Sequence, residues 1–149
     1  MNPYIRFGAM IAVSTVVMYG LMYLNTYALD HVFFSETRLF MALIMGAAMA
    51  IVMLLFMLGM YANTRANTAI LAAAVVVFAG SLYLVRSQVT VGDVAYMKAM
   101  IPHHSIAILT SRRAKIEDPR VRKLADGIIE AQVREIGEMK TLIDELGRR

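Results

Sequence analysis

The chain has 149 residues, of which 59% are hydrophobic, with 15 Lys and Arg against 11 Asp and Glu and no cysteine. So apolar a composition excludes one ordinary water-soluble domain, and the missing cysteine excludes disulfides and thiolate metal sites. The formal charge of +4 does not make a nucleic-acid binder, because only three basic residues precede Arg86 and the rest alternate with nine acids, as solvated helix faces do.

Residues 7–28, 39–60 and 68–85 are apolar runs nearly free of charge. Each approaches the roughly 20 residues that cross about 30 Å of hydrocarbon, so three transmembrane helices are expected. The first run is too long for a signal-peptide core and no small-x-small cleavage site follows it before Asp30, so it is expected to be retained. Tyr19, Tyr23 and Tyr27 recur every four residues near its end, the placement of amphipathic rings that pack between helices or reach the membrane interface. A short loop with His31, Ser35, Glu36 and Arg38 leads into the second run.

That second run carries Met41, Met45, Met49, Met53 and Met57. A four-residue step overshoots a helical turn by about 40°, so the five methionines wind through about 160°. They form an oblique packing ridge rather than a line facing a metal pathway, and Ala42, Gly46 and Ala50 beside it permit close helix approach. Residues 61–68, with Asn63, Arg65 and Asn67, make a short polar turn into the third run.

Residues 87–93 break the helical pattern and divide the chain into a membrane domain, 1–86, and a C-terminal domain, 87–149. Thr90 and Asp93 have capping-box spacing, with Asp93 an alternative cap, and a helix should run from about 91–94 to about Lys115. Asp118 should cap a second helix, with Pro119 at its first position and Gly147 just past its end. Helices joined only by residues 116–118 must be antiparallel neighbours. The expected fold is therefore all-α, three transmembrane helices followed by an extramembrane antiparallel helical hairpin. The second hairpin helix repeats Val121, Ala125, Ile128, Gln132, Glu135, Met139, Leu142 and Leu146 at three- and four-residue steps, the expected seam. Residues such as Ile128, Ile129, Ile136 and Ile143 give it more apolar width than one partner covers, so a homo-oligomer is expected, two hairpins pairing into a four-helix bundle.

The chemistry concentrates in Met97-x-x-Met100-Ile101-Pro102-His103-His104. On a helix Met97, His104, Met100 and His103 fall at about 0°, −20°, −60° and −120°, all on one side. Methionines at helical spacing usually fill cores, and a lone apolar-face histidine is usually packing. Two adjacent imidazoles flanked by Ile101, Ile106 and Ile108 would lack polar partners if buried, which favours a ligand role. Thioether sulfur and neutral imidazole suit Cu(I), whereas Mg²⁺ and Ca²⁺ want carboxylates that this stretch lacks. Reflection of the hairpin about its turn sets Met139, Glu135 and Gln132 opposite, as a further thioether and two polar groups able to orient an imidazole, or simply as the solvent edge of the seam. Pro102 removes an amide donor and presses on the Lys98 carbonyl, so either a kink or a fresh helix start is expected.

These residues, with Asp118-Pro119-x-Val121-Arg122-x-Leu124-Ala125-x-x-Ile128-Ile129-x-Ala131-Gln132-x-x-Glu135-Ile136-x-x-Met139, resemble the bacterial family catalogued as domain of unknown function 305, over residues from about 91 to 146. The resemblance implies a ferritin-like helical fold, secretion or membrane anchoring, an association with copper, and Met97, Met100, His103, His104 and Met139 as ligands. The three membrane helices lie outside it.

Together these observations lead to a membrane-anchored protein that binds copper, as Cu(I), for storage, buffering or delivery. Its expected place is the bacterial inner membrane with the hairpin extracytoplasmic, although Arg6 and Arg65 balance Arg38 and Arg86 in the positive-inside count. The alternative is a non-metal membrane protein whose tail serves assembly or pH sensing. No enzyme is expected, since di-iron chemistry needs Glu-x-x-His and Met100 and Ile101 precede the two histidines by three. His31 is a weaker ligand candidate, able to join only if its loop folds inward.

Overall fold

Asn2, Asn63 and Asp118 each cap a helix, accepting from the amides of Tyr4, Ala66 and Arg120 at 2.9, 3.1 and 2.8 Å. In a computed structural model, which describes residues 2–148, the regular structure among those residues is entirely helical. The long helices are α1 (Pro3–Leu21), α2 (Glu36–Phe56), α3 (Thr64–Ser87), α4 (Asp93–Arg113) and α5 (Pro119–Leu146), with single 3-10 turns at Leu29–His31 and Leu58–Met60. The first three are long and apolar enough to cross a membrane. The chain folds as two compact units, one of residues 1–22 and 37–90, the other of residues 23–36 and 91–149.

In the first unit α1, α2 and α3 share a core of Phe7, Ala50, Leu54, Tyr61 and Ala74, with Met53 and Met57 packed against it. Gly46 sits where α2 meets α1, and a Cβ there would overlap the Thr15 hydroxyl. Ala42, Gly46, Ala47 and Ala50 are buried, so the small residues make the helix contact and the methionine ridge lies beside it. The Tyr4 hydroxyl donates to Asn67 Oδ1 at 3.0 Å and accepts from the Asn63 amide at 3.0 Å, tying the starts of α1 and α3 together. Arg38 donates to the Met22 carbonyl where α1 ends.

α1 stops at Leu21, short of the expected end of its apolar run, and the Thr26 hydroxyl closes a turn on the Tyr23 carbonyl at 2.9 Å. Residues 23–36 then leave the membrane unit and pack as a strap on the hairpin. An apolar run alone does not distinguish lipid-facing from hairpin-facing residues, so sequence assigned this stretch to the membrane domain. Phe33 of the strap packs on the hairpin core of Ile101, Ile108 and Ile136.

Asp118 and Pro119 start α5 and Gly147 ends it, as expected. α4 differs in two respects. Extended Gly92 stands at its N-cap with no side-chain hydrogen bond, and Asp93 lies inside the first turn, where its charge suits the helix dipole. The helix also runs unbroken through buried Pro102, so the proline neither ends nor restarts it. The seam of α5 is rotated from the expected one. Ala125 and Ile136 are its buried residues, with Met139 and Ile143 packed near them, while Val121, Leu124, Ile128 and Leu142 are exposed. The broad apolar surface gave the periodicity two solutions, and the position of the α4 core selects one.

Candidate functional site

Around α4, measured from the buried Ile101, the helical period puts His104 at about −60°, Met100 at about −100° and His103 at about −160°, with Ser105 on the other flank at about +40°. The accessibilities follow this order. Met97 is buried at 6% exposure, Met100 and His104 are partly buried, and His103 is exposed. The four residues expected on one side thus grade from the seam to the solvent. Met97 serves the packing of the hairpin, and Met139 packs against its isoleucine core.

His104 is the fixed point of the site. Its Nε2 lies 2.8 Å from Glu135 Oε2 on α5, and its Nδ1 lies 2.9 Å from the Met100 carbonyl oxygen. The Met100 carbonyl can only accept, so Nδ1–H donates to it and Nε2 is the nitrogen that faces the carboxylate. The His103 ring stands 6.1 Å away, centroid to centroid, and edge-on. The structure therefore joins His104 to Glu135, one of the two polar residues expected opposite it, and leaves His103 exposed on the same turn. Gln132 instead lines a surface groove with Leu124, Gly127 and Ile128. Among the described residues, no three His, Asp or Glu side chains gather as a metal cluster. With no cysteine in the chain, thiolate is absent from any donor set here.

The opposite flank of the hairpin holds a cluster that sequence reasoning missed. Ser105 is fully buried, and its Oγ accepts from the Tyr27 amide at 2.7 Å and lies 2.9 Å from His31 Nδ1. Burial holds the His31 imidazole below its ordinary value, with the Lys140 ammonium adding to the effect and the Asp30 carboxylate opposing it. Asp30 pairs with Lys140 on α5 at 2.5 Å, and that hydrogen bond holds its carboxyl below the usual range. Arg112 donates to the Tyr27 hydroxyl at 2.5 Å and lies over the same ring. The loop of His31 does fold inward, but its imidazole is engaged by Ser105 on the flank away from His104. The available signal was a serine at a core position, Ile101-x-x-x-Ser105-x-x-Ile108, which demands a polar partner from elsewhere. Ser105, His31 and Asp30 include the residue types of a hydrolytic triad, but a fully buried hydroxyl has no access to substrate.

No solved structure matches the chain. An uncharacterized protein of Acanthamoeba polyphaga mimivirus is 42% identical over 66 residues, 43% of this chain and 43% of the relative, so the match spans less than half of that protein. The segment that contains α4 and α5, residues 86–149, matches the family model described as Domain of unknown function (DUF305).

Proposed function

We propose that the hairpin binds copper as Cu(I), held at the membrane for storage, buffering or delivery, with His103, His104 and Met100 as the accessible donors. The supporting observation is the turn of α4 where two imidazoles and a thioether-bearing residue reach the surface, one imidazole braced by Glu135. The donor set suits a soft ion: thioether and imidazole, with a single carboxylate beside them. Met97 and Met139 remain in the ligand set only if the seam opens toward them, since they pack in or against it. A ligating imidazole needs a free lone pair, so copper at His104 would take the ring nitrogen that faces Glu135, and any proton between the two would leave with the carboxyl or to solvent. We further propose that the protein resides in the bacterial inner membrane with the hairpin on the extracytoplasmic side.

Competition titration against a Cu(I) chelator tests this reading. Wild type and the ridge variant carrying Met45→Leu and Met49→Leu should bind alike, and Zn²⁺ and Mg²⁺ should bind more weakly. The variant carrying His103→Ala and His104→Ala should lose at least tenfold in affinity. Undiminished binding in the double-histidine variant would contradict the proposal.

A second reading, a pH-responsive tail, is favoured by the half-buried His31 latch. It differs in needing no metal, and acidification alone would then loosen the strap.

A further inference from the structure

The hairpin has two flanks, and among the described residues only one is covered. The strap occupies the flank of Ser105, Arg112 and Lys140. On the other, the helical period gathers Tyr96, Met100 and His104 of α4 beside Leu124, Ile128, Glu135 and Leu142 of α5. Leu124 is 65% exposed, Tyr96 53% and Leu142 46%. The antiparallel register set by His104 and Glu135 puts Tyr96 near Leu142 at one end of this face, Leu124 and Ile128 toward the other, and the polar pair between them.

We infer that this open face is the docking surface for a second copy of the chain, which closes a four-helix bundle around two His104–Glu135 pairs. The bundle is a proposal from the surface alone. The consequence that copper is shared between copies rests on the copper reading above. Charge supports a copy of the same chain as occupant. On the rim of α5 Arg120 is held by Asp118 and Glu138 faces Arg134, while exposed Lys123 stands toward one end and exposed Glu145 at the other, acidic, end. A twofold across the helices at the middle of the face brings Lys123 of one copy toward Glu145 of the other. An anionic lipid surface would meet that acidic end unfavourably. Two helices and a strap also bury little apolar surface for an independent unit, and pairing supplies the rest.

The absence of cysteine makes the test clean. Full-length protein in mild detergent should give a dimer mass by light scattering, corrected for bound detergent, across a range of concentrations. Ala131→Cys, on the open side, should cross-link between chains with a short thiol reagent, whereas Val133→Cys, on the strap side, should not. Replacing Leu124 and Leu142 by Glu should abolish the dimer while circular dichroism keeps its helical amplitude, and should weaken Cu(I) binding at least tenfold. A monomeric wild type, or equal cross-linking from both cysteines, overturns the docking surface whatever the copper affinity. A dimer whose disruption leaves Cu(I) affinity unchanged overturns the shared site alone. A dimer that binds no Cu(I) sinks the copper reading and leaves the surface standing. Should the glutamate variant lose its helices, the cross-linking contrast decides.

Discussion

Ser105 and His104 stand one residue apart on α4 and serve opposite flanks of the hairpin. Ser105 accepts from the strap, so Ser105→Ala strands the Tyr27 amide and the His31 ring, and should destabilise the hairpin by about 1–3 kcal/mol in denaturant unfolding. An unchanged midpoint would mean that the strap is held by Phe33 and the Asp30–Lys140 pair instead. His31 adds a pH dependence of defined sign. Its folded-state value is depressed, so the stability tied to the neutral ring is present above the ordinary value of 6.5 and is lost as pH falls through the lower, folded value. Thermal unfolding between pH 7 and pH 5 should therefore show an acid-dependent loss in wild type that shrinks in His31→Asn. Equal losses in both proteins would place the titrating group elsewhere. Asp30, exposed beside Lys140, contributes little by comparison, as surface ion pairs do.

At the scale of helices, Gly46 carries the close approach of α2 to α1. Gly46→Val should drive a side chain into Thr15 and lower stability in detergent by about 1–3 kcal/mol, and a second change, Thr15→Ala, should recover part of the loss. No coupling between the two changes would show that the helices separate freely there. The small residues around Gly46 were legible in the sequence, as were the three spans and the cap, first proline and terminal glycine of α5. Each rests on local chemistry that acts within a few residues. Two features were not legible. The seam of α5 could be phased on Ile128 or on Ile136 because both flanks of the helix are apolar, and only the partner helix decides. The strap looked like the continuation of a membrane span, because nothing local records that Tyr27 and His31 answer a buried serine many residues further on. For the candidate site, register placed Gln132 and Glu135 opposite the histidines but did not choose which of them pairs, and the withdrawal of Met97 into the seam was not legible, since one helical side spans both core and surface.

Across the whole molecule, if the three helices that are long and apolar enough to cross a membrane do cross it, residues 23–36 and 91–148 lie on the same face, a placement that their shared compact unit supports. Ser35 is buried and serves poorly as a labelling position, whereas Leu29, Asn63 and Glu117 are exposed. Single cysteines at Leu29 and Glu117 should react with an impermeant thiol reagent in intact cells, and one at Asn63 only after permeabilisation. Opposite behaviour of Leu29 and Glu117 would break the three-span topology, and labelling at Asn63 alone would invert it. If the hairpin holds copper through imidazole and thioether donors as proposed, X-ray absorption of the full-length protein loaded with Cu(I) should show nitrogen and sulfur scatterers in the first shell. The nitrogen contribution should be lost when His103 and His104 are replaced by Ala. A first shell of oxygen alone, or a spectrum unchanged by the double substitution, would contradict the proposal.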